Sequence, residues 1–373
     1  MRHKLAKLPI LKVFISQKLT VVCLICLAML TFWGTLYQTN YGLWAAQEKF
    51  FRSWIVWMGY LPFPGAKLVI WVMTINLICV CLFVFRFKFA KLGIWIMHLG
   101  LLSLLIGGGI THYFAVESQI TLAEGAYTNT SQSLEYWELS VWTDSADTKR
   151  VTSVPDNMLA ADSNIVLPKQ KVTLSIQDYF PNSAAYASSP ENIKHMNITS
   201  ASNIVEIEER SMNDEIERNK PGMNATWIFG KDTTFIKFFG GEVIPTELPC
   251  AQGKCKVLLR RKHYPLPFSV KLIDFVKDNY TNSDMAKSYE STVEINDQGQ
   301  KRNVKIFMNN PFRAHGYTLF QASFTQDAEG ETSTFSTVLN PGRLLPYISS
   351  IISGVGLAIH FVLLSWLKRR KKS

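Results

Sequence analysis

Two histidines stand inside apolar runs long enough to cross a lipid bilayer. His98 lies within residues 92–110, and His360 lies within residues 344–367. An ionisable side chain at that depth is costly and needs a task or a partner. Neutral imidazole is a good axial ligand for heme iron or another metal, which is the first chemistry to weigh. A histidine bonded to a neighbouring helix as a packing aid is the other reading, and the residues leave both open. His98 follows Lys91 by seven residues, and His360 precedes Lys368 by eight. The helical rise then sets both about 10–12 Å above the charged boundary, a depth at which they could share one ligand.

His112 lies 14 residues beyond His98. That spacing places it about 21 Å along a helix and roughly 40° around it. It reads either as an interfacial side chain among headgroups and water, or as a group at the outer exit of the face that carries His98. His195, His263 and His315 form no metal-spacing cluster with Cys or carboxylates, and His3 reads as solvated tail.

The cysteines divide by location. Cys23 and Cys26 form a CxxC inside an apolar run, without a thioredoxin-like context, and read as packing residues, as do Cys79 and Cys81. Cys250 and Cys255 bracket Ala-Gln-Gly-Lys in a polar, outward-facing region where a disulfide is permitted. A structural bridge and a redox-active pair both remain open. Asn76, within another apolar run, reads as an interhelical hydrogen-bonding group. No phosphate-cradling glycine loop, nucleophile elbow or paired-carboxylate signature marks a hydrolase or nucleotide enzyme.

Four spans must position these residues, at about 19–37, 68–85, 92–110 and 344–367. The first is longer than a leader core and reads as a retained span. Gly93, Gly100 and Gly107 give the third a smooth side for close packing, away from His98 and His112. Residues 40–64 carry Trp44, Phe50, Phe51, Trp54 and Trp57 among charges and read as an interfacial helix ended by Pro62 and Pro64.

The formal charge of +10 is unevenly spread. Residues 1–114 hold 11 Lys+Arg and one acid, Glu48, whereas residues 115–343 hold 28 Asp+Glu against 23 Lys+Arg. The basic excess belongs to span ends, which argues against nucleic acid as a partner. Arg2, Lys4, Lys7, Lys12 and Lys18, then Arg86, Lys88 and Lys91, then Lys368 to Lys372 mark the cytoplasmic ends. Both termini are then inside, and residues 115–343 face outward.

The outer region reads as short strands over 171–178, 203–208, 233–239, 268–275, 291–296, 303–309 and 317–325, with residues 183–224 partly a mobile insertion. The expected fold is a polytopic α-helical membrane protein with four spans and a large extracytoplasmic, mostly-β, sandwich-like domain. Its parts are a cytoplasmic tail (1–18), three spans (19–114), the β-rich domain (115–343), a fourth span (344–367) and a basic tail (368–373).

Ordered motifs carry a resemblance. GTLYQTNYGLWAAQEKFFRSWIVW (34–57) with PFPG resembles the first outer loop of the ResB family, also called CcsB. IWIMHLGLLSLLIGGGITHYFAVES resembles its third span, leading into TLAEG (121–125). LPFSVKLIDF (266–275) with SYESTVEI, MNNPFRAHGYTLFQASF (308–324) and NPGRLLPYISSIISGVGLAIHF (340–361) are similar to its outer motifs and last span. The match runs over nearly the whole chain in order.

The resemblance implies system II cytochrome c biogenesis in a bacterial cytoplasmic membrane. Such proteins work with a CcsA or ResC half that carries a tryptophan-rich heme motif, which is not found in this sequence. The pair moves heme outward and promotes its attachment to CXXCH motifs of apocytochrome c, with a thioredoxin-like thiol reductant as a further implied partner. This chain would be one subunit of a holocytochrome c synthase, not an enzyme alone. The matching heme ligand is His98, which the family pairs with a histidine of the other half rather than with His360. A membrane heme electron-transfer subunit and a non-catalytic extracytoplasmic receptor or scaffold are the competing functions.

Overall fold

The computed structural model describes residues 9–84, 88–143, 151–188, 198–280, 286–327 and 330–370. His3, His195, Arg2, Lys4, Lys7, Arg86, Lys371 and Lys372 lie outside them. The chain divides into two compact units, Met1–Val116 with Leu339–Ser373, and Glu117–Val338.

The first unit is helical. A short helix α1 (Pro9–Phe14) leads to α2 (Gln17–Ala46), whose N-terminus is capped by Ser16 Oγ accepting from Lys18 N at 3.2 Å. The hairpin strands β1 (Ile55–Met58) and β2 (Leu61–Pro64) follow, then α3 (Ala66–Cys79), α4 (Leu92–Phe114) and α5 (Leu345–Arg370). Four segments, Gln17–Phe51, Ala66–Val84, Leu92–Phe114 and Leu345–Trp366, are helices long and apolar enough to cross a membrane. Val21, Leu24, Phe32, Ile351 and Val362 point outward, an apolar surface suited to lipid rather than water.

Within residues 40–64, where a helix is expected throughout, the chain is helical only to Phe51 and then forms a hairpin. α2 kinks at Gly42, whose φ of 78° the missing Cβ permits, and ends in a π-helical turn at Gln47–Phe51. Gly59, at φ 61°, then turns the chain, and Met58 pairs with Leu61 across a two-residue loop. Alternation at Val56, Trp57 and Met58 competes with helical periodicity and wins, because Val56 enters the core formed by Cys23, Leu30, Phe50, Ala66 and Val69. Asn76 stitches this bundle: its Oδ1 accepts from Thr20 Oγ1 at 2.7 Å, and its Nδ2 donates to Phe14 O at 2.6 Å.

The second unit is all β apart from two short 3₁₀ turns among its described residues. In order come β3 (Val116–Ala123), β4 (Tyr127–Trp142), β5 (Val151–Pro155), β6 (Ser163–Leu167), β7 (Val172–Phe180), β8 (Ser183–Ala187), β9 (Ile198–Thr199) and β10 (Ile204–Glu209). Then follow β11 (Gly222–Phe229), β12 (Asp232–Phe239), β13 (Thr246–Cys250), β14 (Gly253–Asn279), β15 (Ala286–Asp297), β16 (Gln300–Phe307), β17 (Phe312–Ala314), β18 (Tyr317–Asp327) and β19 (Gly330–Leu339).

The order β16-β15-β14-β4-β3-β19-β18-β17, with β13 on β14 and β5 on β4, makes a ten-stranded sheet. A five-stranded sheet runs β6-β7-β11-β12-β9. The long strands β4 and β14 thread two cores. Leu139, Val257 and Leu259 pack with Leu174, Met223, Trp227 and Phe238 between the two sheets, which is a sandwich. Further along, Ile120, Phe268, Val270, Val293, Leu319 and Phe335 fill a second core where β16 returns beside β17 and β18 and the large sheet curls on itself.

Residues 183–224 are not wholly an insertion. β8 and β10 pair antiparallel, and β11 is a central strand whose Met223 and Trp227 are fully buried. Polar composition conceals this strand because one face of β11 is polar (Asn224, Thr226) while the other enters the core. Residues 189–197 lie outside the described part.

Candidate functional site

The glycine stripe of α4 packs against α5. A Cβ added to Gly93 would fall on the backbone of His360, one on Gly100 would meet Ser353 and Ser349, and one on Gly107 would meet Leu345. Gly356 of α5 returns the fit against Met97. Small residues allow this approach, and Ser103 Oγ and Ser349 Oγ, 2.7 Å apart, bond across it.

This register corrects the expected equal depth of the two histidines. His360 stands opposite Gly93, and His98 is five residues farther along α4. That offset is about 7 Å along the axis, and the 100° advance per residue turns His98 some 140–160° from the Gly93–Gly100 stripe. His98 therefore lies on the side of α4 turned away from α5, the helix that carries His360.

His98 is half-buried, with Nδ1 2.8 Å from Ile94 O. A carbonyl only accepts, so Nδ1 carries the proton and the lone pair lies on Nε2. His360 Nδ1 is buried without a hydrogen-bond partner among the described residues. Such an atom costs on the order of 1–3 kcal/mol unless something outside the chain meets it.

On the His98 face of α4, Leu105, Gly109 and His112 follow within about 40°. These three line a cleft of about 630 Å³ between α3 and α4, a volume typical of cofactor sites. Its wall is nearly all apolar, and Lys67 and His112 stand among the lining residues. Lys67 Nζ lies 5.2 Å from the Trp54 ring centroid and 5.8 Å from that of Tyr113. Tyr113 meets the His112 ring edge-on at 4.8 Å. His112 is exposed and Lys67 half-exposed. Sequence reading passed over Lys67; its signal is a cation at the end of span two opposite the basic cluster at Lys88 and Lys91.

In the β-rich unit, Cys250 and Cys255 form a disulfide, with their Cα atoms 5.8 Å apart. Both are buried in the sandwich core, and neighbouring Pro249 O accepts from Trp227 Nε1 at 2.8 Å. His263 Nδ1 donates to Arg261 O at 2.9 Å and stands 3.9 Å from Glu138. Glu138 itself is buried and receives Arg260 at 3.0 Å and Ser140 Oγ at 2.8 Å. Arg261 lies over Trp137 at 4.1 Å, and burial pushes its guanidinium pKa down. His315, in a left-handed conformation at φ 50°, bonds Asp297 Oδ2 through Nε2 at 2.8 Å. His263 and His315 thus have different partners, and no cluster of three metal-ligating groups exists among the described residues.

Residues 234–363 match the ResB-like family model, a stretch that runs from β12 into α5 and contains His263, His315 and His360. His98 and His112 lie outside it. Over 95 residues the chain is 35% identical to Protein NrfI of Wolinella succinogenes, which is 25% of this chain and 10% of that protein. The aligned stretch thus spans about a tenth of that relative's length. The similarity to the ResB-like family therefore covers residues 234–363, about a third of a chain that has four apolar helices and a mostly-β unit.

Proposed function

We propose that this chain is the ResB-type subunit of a membrane machine for cytochrome c biogenesis, and that heme is its cargo. The observation that carries the heme reading is the tautomer of His98. Its Nδ1–H donates to Ile94 O, which fixes ring orientation and tautomer inside an apolar helix, the arrangement ligating histidines use. The helix register takes His98 away from α5, which suits a second ligand from the CcsA or ResC-type half rather than from His360. The unmet Nδ1 of His360 adds support for a close partner or ligand beside α5.

In this reading both termini are cytoplasmic and the β-rich unit faces the compartment where apocytochrome c is matured. Iron and vinyl chemistry belong to heme and to the thiols of the acceptor protein. This chain binds, orients and delivers. Its buried Cys250–Cys255 disulfide holds a hairpin rather than exchanging with thiols.

The test is the heme content and absorption spectrum of the purified complex with and without His98→Ala. Loss of heme, or a shift in the spectrum that added imidazole reverses, is expected. Unchanged heme content with an unchanged spectrum would remove His98 as a ligand.

A further inference from the structure

We propose that the cleft between α3 and α4 is a resting site for the porphyrin, with Lys67 as the anchor for its propionate carboxylates and His112 as the imidazole within reach of its iron. This rests on the reading of heme as cargo and names a position for it apart from His98.

Three observations converge. The cleft has the size of a cofactor site and an apolar lining broken by a cation and an imidazole. That composition suits a molecule with a wide apolar body and an acidic edge. Part of the wall is bare helix: a Cβ built on Gly108 or Gly109 meets nothing within 4 Å, so space lies directly over the α4 backbone, as a flat ring needs.

Lys67 is the second observation. It occupies the first turn of α3, where the helix dipole adds to its positive charge. Among the described residues its Nζ faces the rings of Trp54 and Tyr113, and no carboxylate pairs with it. Aromatic faces hold an ammonium in place without neutralising it, which leaves its charge for an anionic ligand.

The third is placement. His112, Leu105 and Gly109 continue the helix face of His98, with His112 about 21 Å farther along α4. A porphyrin at either histidine therefore lies on one continuous side of the same helix.

The experiment titrates hemin into the full-length protein, purified with its partner, in nanodiscs of phosphatidylcholine, and then in nanodiscs containing phosphatidylglycerol. Variants are Lys67→Gln, Lys67→Arg, His112→Ala and Gly109→Phe, the last chosen to block the cleft from a position whose Cβ touches nothing. Thermal midpoints confirm that each variant is folded. The expected result is hemin binding about tenfold weaker in Lys67→Gln, restored in Lys67→Arg, with a changed spectrum in His112→Ala and loss of that component in Gly109→Phe. If His98→Ala lowers hemin binding while Lys67→Gln, His112→Ala and Gly109→Phe do not, the cleft proposal falls and the heme reading stands. Should the wild-type complex bind no hemin in either membrane, both fall. If the Lys67 and Gly109 variants change only the phosphatidylglycerol retained, by mass spectrometry, the cleft is a lipid site and the porphyrin assignment is overturned.

Discussion

Gly93 of α4 and His360 of α5 touch backbone to backbone, so closely that a Cβ on the glycine would overlap the His360 main chain. This contact sets the register of the helix pair and hence the depth of every histidine in it.

Gly93→Val should therefore separate α4 from α5. Overpacking a close contact typically costs about 1–3 kcal/mol. Gly354→Ala, where a Cβ meets nothing within 4 Å, serves as the control. A lower thermal midpoint in detergent is expected for the first and not the second; equal midpoints would mean that this contact does not hold the pair.

Asn76 joins α3 to both sides of the α1–α2 break through Thr20, Phe14 and Ser16. Asn76→Leu leaves Phe14 O and Thr20 Oγ1 without this partner and should destabilise the bundle by about 1–2 kcal/mol. Thr20→Val should cost less, because the backbone bonds survive. Unfolding of the two variants in mixed micelles ranks them, and the reverse order would sink the account.

Cys250 and Cys255 close a loop of six residues, so the bridge restricts the unfolded chain modestly. The loop-entropy relation gives about 2 kcal/mol. Cys250→Ala with Cys255→Ala should lower the unfolding free energy by that amount, read from denaturant titration, and leave hemin affinity unchanged. A collapse of hemin binding in a folded double variant would instead argue for a redox task.

Glu242 makes stability depend on pH. Its carboxylate accepts from Phe239 N at 3.1 Å and from Ser202 N and Ser200 Oγ at 3.3 Å each, yet burial outweighs these bonds and raises its pKa. A raised acid favours the folded state while protonated. That advantage is complete below the ordinary carboxylate range and is lost as pH rises through the raised folded value. Glu242→Gln should therefore gain on the wild type as pH rises from about 4 to about 8. Denaturant midpoints of both proteins across this window test it; a constant difference would contradict the assignment.

Span number, the α4 glycine stripe and seven strands of the second unit (β7, β10, β12, β14, β15, β16 and β18) are legible in the chain, because bilayer length and period-two alternation are local properties. The hairpin at residues 55–64 is not, because aromatic content alone does not distinguish an interfacial helix from a hairpin; Gly59 and the burial of Val56 decide it. β11 is hidden by the polar face it shows on one side.

The histidines show the same division at the level of chemistry. Amino-acid order is enough to place His98 and His360 in apolar spans and His112 on the His98 face, since helical rise and twist are constants. It could not tell that Gly93 meets His360, which offsets the two histidines, nor that α3 brings Lys67 beside His112. Those facts depend on how separate helices pack, and packing is set by side chains distant in sequence filling one another's space.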